Sequence, residues 1–411
     1  MYAIYNVIAQ ISWFFLNILA FFNSKIKLFV EGRKNSFEIL RQTISHGDKT
    51  FWVHVASLGE FEQGLPLIEK LKVEYPMHKI VVTFFSPSGY EVKKNTAVAD
   101  AVCYLPMDTQ GNAKRFLETI QPDLAIFVKY EVWPNYLRAM ENKKIPVLLI
   151  SAIFKKEQIY FKSYGGFMRK ALGRFSYYFV QDEHSKALLE SIKIKNVSIS
   201  GDTRLDRVSE ILDRDNSLDF MEVFKKDRPC FVAGSTWPED EAILIDYINN
   251  AQKNLKYVLA PHTINSAKIL GLAGAFTKKT TLYSKIDSNH LADYDILIID
   301  HIGLLTKIYS YADIAYVGGG FATGLHNTLE PAVFGIPVII GPNYKDFKEA
   351  EELVAQKGIL AIEDSWSFGE LMKKLLDNTG FRKKTGEINA LYISKNKGAS
   401  IQIMNYIRTL L

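Results

Sequence analysis

Apolar residues recur along most of this chain as short runs rich in β-branched side chains, each followed by a segment whose apolar positions repeat with helical spacing. The runs Phe51–Val55, Ile80–Phe84, Leu124–Val128, Val147–Ser151, Tyr177–Val180 and Val197–Ser200 predict strands, with helices such as Phe61–Val73 and Asn112–Thr119 between them. That βαβ rhythm predicts a parallel sheet covered on both faces. Residues 206–228 are charged, lack strand character and suit a linker with a helix. The rhythm resumes at Cys230–Ala233, Tyr257–Ala260, Ile296–Asp300, Ile314–Val317 and Val338–Gly341. The chain thus divides into two Rossmann-like halves, residues 25–205 and 229–388, and residues 389–411 read as a last helix able to pack on either. Such sheets bind ligands outside the carboxyl ends of their strands, so the chemistry is expected just after strands, in a cleft between the two halves.

Residues 1–24 break the pattern. No charge precedes Lys25, and a helix from Met1 to Phe22 would be roughly 33 Å long, about the thickness of a bilayer core. The segment lacks the basic start and small-residue cleavage site of a removed signal peptide. Asn6, Gln10 and Asn17 fall on one narrow arc of the helix. It could span the bilayer with that stripe against a partner, or lie in the interface with the stripe toward headgroups. Lys25, Lys27, Arg33 and Lys34 follow at once and favour a cytoplasmic location for everything downstream.

Composition narrows the class. With 411 residues, 48% hydrophobic and 23% charged, two full cores are expected and global disorder is excluded. The net charge of +5 suits anionic lipid or a phosphorylated substrate as well as an ordinary enzyme. No basic run is interleaved with aromatics, so no nucleic acid is expected as partner. Cys103 and Cys230 lie in or beside apolar runs, without metal-site spacing, and are expected to be buried thiols of a reducing compartment.

Four constellations follow predicted strands. In His54-Val55-Ala56-Ser57-Leu58-Gly59-Glu60, Ser57 and Glu60 match a capping box. The same spacing sets a carboxylate at a helix N-terminus, where the dipole keeps it ionised and able to take a proton from a hydroxyl that Gly59 lets approach. Both readings stand on the residues alone. In Lys129-Tyr130-Glu131-Val132-Trp133-Pro134-Asn135, Pro134 opens a helix and Trp133 either walls a pocket or packs beside a salt-bridged Glu131. Ala233-Gly234-Ser235-Thr236-Trp237-Pro238-Glu239-Asp240-Glu241 reads as a small-residue turn into a helix, an N-cap that could also receive an anion. The loop from Gly318 to Pro331, with Gly319, Gly320, His326, Asn327 and Glu330, reads as a nucleotide-phosphate cradle. It is neither a dinucleotide fingerprint nor a Walker A loop, which disfavours an oxidoreductase and a P-loop kinase.

At these residues the chain resembles the Kdo (3-deoxy-D-manno-octulosonic acid) transferases of lipopolysaccharide assembly. The likeness runs from the hydrophobic N-terminus and Gly32-Arg33-Lys34 through Ser57-x-Gly59-Glu60 and Glu131-x-Trp133-Pro134-Asn135. It continues through Gly201-Asp202-Thr203-Arg204-Leu205-Asp206 to His326-Asn327-x-Leu329-Glu330-Pro331. The resemblance implies an α/β fold of GT-B type, with two Rossmann-like domains facing across a cleft and an N-terminal membrane helix. It implies inverting transfer from CMP-Kdo to a lipid A precursor at the inner membrane, with no metal, no cofactor and no obligate protein partner. Glu60 matches the general base, with Ser57, Gly59 and Glu131 on the acceptor side, and Arg204 matches a residue that stabilises transition-state charge. Donor contacts map to Ser235, Thr236, Ala260, Pro261, His262, Ile302, Gly303, Leu304 and Gly320, and to His326, Asn327, Thr328, Leu329 and Glu330.

The chain departs from the family pattern at Pro261, where Arg is familiar, at Lys129 and Leu304, where acids are familiar, and at Asp346, where Asn is usual. Lys129 is therefore the expected source of the positive charge that Pro261 no longer supplies. The alternative function is a GT-B transferase or epimerase acting on a UDP-sugar. A catalytically dead, membrane-attached lipid-binding or scaffold protein is the rival outside enzymes, disfavoured by the intact Glu60 and Glu330.

Overall fold

The computed structural model describes residues 1–411 apart from Lys253, Thr323 and Asp346. The glycine loop's Thr323 and the Asp346 departure thus lie outside the described residues. The chain forms two compact units, one of residues 1–207 with 397–411, the other of residues 208–396.

The first unit holds seven parallel strands: β1 (Lys49–Val55), β2 (His78–Phe84), β3 (Ala101–Tyr104), β4 (Pro122–Val128), β5 (Val147–Ala152), β6 (Tyr177–Val180) and β7 (Val197–Ile199), in the order 3-2-1-4-5-6-7. The second holds β8 (Cys230–Thr236), β9 (Lys256–Pro261), β10 (Thr280–Leu282), β11 (Ile296–Ile298), β12 (Ile314–Val317), β13 (Val338–Ile340) and β14 (Ile359–Ala361). Its order is 10-11-9-8-12-13-14, again parallel throughout. The eleven runs expected to be strands all are. The three strands beyond them are β3, β10 and β14, of three or four residues each.

Helices cover both faces of each sheet, so the strands are buried on both sides and need apolar residues at every position. In the first unit, Trp52, Phe116, Phe127 and Tyr136 pack on one face, while Phe51, Phe61, Phe84 and Ile126 pack on the other. Both cysteines are buried and free, and burial pushes each thiol up to about 12.

Residues 206–228 are more than a linker. The helix Asp219–Lys225 buries Met221 and Phe224 in the second unit, and Lys225 pairs with Asp313 at 3.1 Å. The C-terminal segment is also not one helix from 389 onward. One helix ends at Asn396, Gly398 turns the chain with φ +111°, and a second runs Ala399–Leu410. This last helix belongs to the first unit, where Ile403, Met404 and Ile407 join the core beside the helix Leu58–Glu74. Asp206 anchors it by accepting from the backbone N–H groups of Gly398 and Ser400.

The N-terminal helix Tyr2–Leu19 has no buried residue and is long and apolar enough to cross a membrane by length and composition. Its N-terminal end is nonetheless held on the first unit. Tyr5 donates to Asp108 at 2.8 Å, Asn6 accepts from Asn135 at 3.1 Å, and the Tyr2 ring meets Phe167 edge-on at 4.9 Å. Within the expected polar stripe only Asn6 makes such a contact, because Asn17 bonds the Trp13 carbonyl inside the helix and Gln10 is exposed. Arg33 leaves the expected basic flank as well. It is buried, with its guanidinium 3.5 Å from the Phe29 ring centre and donating to the Phe85 carbonyl at 2.7 Å.

Removing residues 397–411 uncovers the Ile403, Met404 and Ile407 contacts and should unfold the first unit selectively, read as loss of the protection of β1 and β4 amides from hydrogen exchange. The milder Asp206→Ala should cost about 1–3 kcal/mol in a urea titration, because two backbone amides, one of them buried, lose their acceptor.

Candidate functional site

In the first sheet the strand order reverses between β1 and β4, and in the second between β8 and β12. At such a point the connections leave toward opposite faces and open a crevice at the carboxyl ends. The four constellations follow these four strands.

After β1 the chain turns through Ala56 and Ser57 into the helix Leu58–Glu74, which sets Glu60 in its first turn. Glu60 is 4% exposed and accepts from the backbone N–H groups of Ala56 and Ser57. Ser57 makes no side-chain cap bond, so only Glu60's half of the capping box is formed. A Cβ on Gly59 would meet nothing closer than Ser57 Oγ at 4.0 Å, which leaves this side of the turn open. The expectation that the helix terminus keeps Glu60 ionised is corrected by its surroundings. Burial and then the Glu131 carboxylate raise its pKa to about 7, against the Ala56 amide, Lys129 and the Ser57 amide. Desolvation of a carboxylate outweighs two amide bonds and one partial helix charge.

After β4, Lys129 takes the left-handed conformation, φ +63°, and Tyr130 and Glu131 lead to the helix Pro134–Lys143. The Trp133 indole N–H reaches both Glu131 Oε2 at 3.1 Å and His54 Nε2 at 3.0 Å. His54 Nδ1 lies 2.9 Å from Thr83 Oγ1, which also accepts from Trp52 at 2.8 Å. Trp133 is therefore no passive wall, and its indole N–H is what binds the Glu131 carboxylate, with His54 Nε2 beside it at 3.4 Å.

Arg204 reaches this region through Asp202, two residues before it in the same motif. Its guanidinium donates to Asp202 Oδ2 at 2.9 and 2.7 Å, and Gln63 Nε2, one turn after Glu60, donates to the same carboxylate at 3.1 Å. Burial pulls the Asp202 carboxyl up, but Arg204 and the hydrogen bonds more than offset it, so it sits below its ordinary value. Gln63 was hidden because a mid-helix Gln carries no pattern of its own.

In the second unit, β8 ends at Ser235, with φ +53°, and Thr236. The helix Pro238–Asn250 follows, but its N-terminus is not free for an anion. Asp240 accepts from Trp237 N and Gly319 N, each at 2.9 Å, and from Tyr316 Oη at 2.6 Å, with Glu239 and Glu241 in the same turn. Thr236 Oγ1 donates to Glu241 at 3.0 Å. Ala260 is buried and Pro261 closes β9; Pro261 lines a cavity of about 270 Å³ with Thr236, Trp237 and Lys268. His262 stacks between Trp237, at 4.6 Å, and His326, at 4.4 Å, and Trp237 Nε1 donates to His326 Nε2 at 3.0 Å. Burial and neighbouring His262 push the His326 pKa down, which keeps that nitrogen free to accept.

Beyond the loop, Thr328 is buried and Leu329 opens a helix of only four residues, Leu329–Ala332. So short a helix has little dipole, and the cradle expected there is shaped by side chains instead. Asn327 donates to Glu330 Oε1 at 3.0 Å and Thr306 to Oε2 at 2.8 Å, which fixes the Glu330 carboxylate. Gly320 has a close steric reason to be glycine, since a Cβ there would sit 2.7 Å from Gly341 N. Leu304 precedes the short helix Leu305–Ile308, Gly303 turns with φ +96°, and Ile302 is 82% exposed. Among the described residues no cluster of His, Cys, Asp and Glu is placed to hold a metal ion.

Residues 31–207 match the family model described as 3-deoxy-D-manno-octulosonic-acid transferase. The chain is 28% identical to the 3-deoxy-D-manno-octulosonic acid transferase of Aquifex aeolicus, over 87% of this chain and 97% of that one. It is 29% identical to the enzyme of the same name from Haemophilus influenzae, over 87% and 86%. Over most of its length the chain is similar to the Kdo transferases. Its fold is GT-B: it superposes on UDP-GlcNAc 2-epimerase from Neisseria meningitidis with a TM-score of 0.61 at 16% identity, covering 88% of this chain and all of that one. The corresponding values for MurG of Acinetobacter baumannii are 0.59 and 11%, covering 88% and 99%.

Asp240→Ala strands two buried amides and the Tyr316 hydroxyl. It should destabilise the second unit by about 3 kcal/mol or more in chemical denaturation, while Glu239→Ala in the same turn should stay within about 0.5 kcal/mol.

Proposed function

We propose that this transferase moves Kdo from CMP-Kdo to the hydroxyl of a lipid A precursor in lipopolysaccharide assembly, with Glu60 as general base. The observation that carries the reading is a buried carboxyl at a sheet switch point whose pKa lies near 7, where a base both accepts and releases protons readily. The likeness to the Kdo transferases suggests the donor and acceptor class.

In the proposed step the acceptor oxygen loses its proton to Glu60 and bonds to the anomeric carbon of Kdo. The bond from that carbon to the CMP oxygen breaks, and CMP leaves with the electron pair, so configuration inverts. Arg204, oriented by Asp202, meets charge developing on the sugar, and Lys129 adds positive charge beside Glu60. On the donor side Glu330, fixed by Asn327 and Thr306, accepts from ribose hydroxyls, and the Ser235–Thr236, Ala260–His262, Ile302–Leu304 and Gly320 turns surround the nucleotide. The reading invokes no cofactor.

The membrane reading is part of the proposal. Because Tyr2, Tyr5 and Asn6 rest on the catalytic unit, the start of the N-terminal helix stays on the same side as that unit. The helix then lies in the interface of the inner membrane's cytoplasmic leaflet, with Phe14, Phe15, Phe21 and Phe22 in lipid and Lys25, Lys27 and Lys34 at the headgroups.

Glu60→Gln should fold and lose nearly all transfer of Kdo to a tetraacylated acceptor, read by mass spectrometry of the product. In wild type, kcat/KM should fall about tenfold per pH unit below the Glu60 pKa of about 7, because the protonated carboxyl is not a base. The stability effect has the opposite sense. A carboxyl whose folded pKa is raised stabilises most below its unfolded pKa, and this contribution is lost as pH rises through about 7. Wild type should therefore lose stability relative to Glu60→Gln between pH 5 and pH 8, by on the order of 3 kcal/mol, seen as a widening gap in melting temperature. CMP, and not UDP, should raise the melting temperature; stabilisation by UDP alone would assign the chain to a UDP-sugar.

A further inference from the structure

The turn 201–204 is tied to the helix Leu58–Glu74 by both the side chain and the backbone of one residue, Gln63. Gln63 is 1% exposed and stands one turn after Glu60, so the two side chains are neighbours along the helix. Its Nε2 donates to both oxygens of the Asp202 carboxylate, at 3.2 and 3.1 Å, across 139 residues of sequence. Asp202 passes that restraint on. Its Oδ2 accepts from Arg204 Nε and Nη2 at 2.9 and 2.7 Å, and its Oδ1 accepts from the Arg204 backbone N–H at 2.9 Å. The Gln63 carbonyl meanwhile accepts from Thr203 Oγ1. That hydroxyl has one proton to give, so Ser151 at the end of β5, with its Oγ 2.8 Å away, is the donor in their contact. Gln63 is also a costly residue for this place. Turning its NH2 toward Asp202 leaves Oε1 buried with no donor among the described residues, and a buried unpaired carbonyl destabilises a fold. A Met of the same length would fill the space without that cost, so the gain from the amide lies in where it holds Asp202.

We propose that Gln63 is a positioning residue for Arg204: through Asp202 it fixes the guanidinium relative to the helix that carries Glu60. This rests on Arg204 meeting the charge that develops on the sugar. A cation stabilises such charge most when it is in place before the charge appears. Arg204 is partly exposed, and a long side chain of that kind has much rotamer freedom to lose. Asp202 alone would orient it only with respect to its own turn, two residues away. Gln63 adds the reference to a second element, so the turn 201–204 and the start of the helix move as one body. Pro66, three residues on, gives no N–H to the helix ladder. The bonds from Asp202 and Thr203 therefore also stiffen the helix beside the place where that N–H is missing.

The experiment is a double-mutant cycle in the full-length enzyme, read as transfer from CMP-Kdo to a tetraacylated acceptor. Gln63→Met removes the donor and keeps the volume. It should lower kcat about tenfold or more and leave KM for CMP-Kdo within about twofold, the pattern of an interaction made in the transition state. Arg204→Ala should be slow by itself, and adding Gln63→Met to it should cost less than about twofold more, because the guanidinium to be positioned is gone. The melting temperature of Gln63→Met should not fall, whereas a merely structural Gln63 would lose stability and keep kcat. Wild-type kcat in Gln63→Met overturns the proposal, and so does a loss of full size in the Arg204→Ala background. Should Gln63→Met not fold, Gln63→Glu, of the same shape but with an oxygen facing Asp202, takes its place in the cycle. Failure of the reading beneath the proposal looks different: Arg204→Ala would then transfer Kdo at the wild-type rate, and the proposal would fall with it.

Discussion

A parallel sheet buried on both faces can bring polar chemistry to water only at the ends of its strands. In each unit of this transferase the strands start from the centre and run outward in both directions, so β1 parts from β4 and β8 from β12. That divergence is the constraint on which the site depends. It opens a crevice where two successive connections leave opposite faces, and it places the Glu60 turn beside the Glu131 turn although 70 residues separate them. Sheet registry then sets the finer geometry. His54 and Thr83 are direct partners across β1 and β2, which aims the imidazole toward Trp133.

The two units solve the same topological problem with different chemistry. In the first, burial and like charge hold one carboxyl near neutrality, a state suited to moving a proton. In the second, carboxylates are satisfied and structural: Asp240 gathers three donors, and Glu330 is fixed by Asn327 and Thr306. Those acids pin the loop after β12 and leave the ring stack of Trp237, His262 and His326 as its most distinctive surface. The final helix belongs to the first unit, where Asp206 accepts from its first backbone amides.

How far the sequence could be read depended on the length scale of each interaction. Apolar runs located most strands, even three-residue ones such as β11 and β13, because burial on both faces writes a continuous apolar run; β10, Thr-Thr-Leu, and β14, partly exposed, write none. The Ser57-x-x-Glu60 spacing could not separate a cap from a base. In the fold the Ser57 side chain makes no cap bond, and desolvation outweighs the amide bonds and raises the Glu60 pKa to about 7. A small-residue turn before a helix suggested an open anion site at Ser235 and Thr236, and Asp240 folds back into that place. Arg33 read as part of a basic flank and is buried against Phe29 and Phe85.

The sequence by itself determined the class of the molecule: two βαβ halves, an uncharged apolar N-terminus, and ordered motifs that join this chain to the Kdo transferases. Those properties are local, written in runs and spacings of a few residues. Only the tertiary structure decided which charges face one another. Gln63 meeting Asp202, Trp133 bridging His54 and Glu131, and Tyr5 reaching Asp108 each join segments far apart in the chain or on different elements. Electrostatics and hydrogen bonding depend on distances in space and on the water excluded around them. The proton affinity of Glu60 was therefore settled by what packing placed around it.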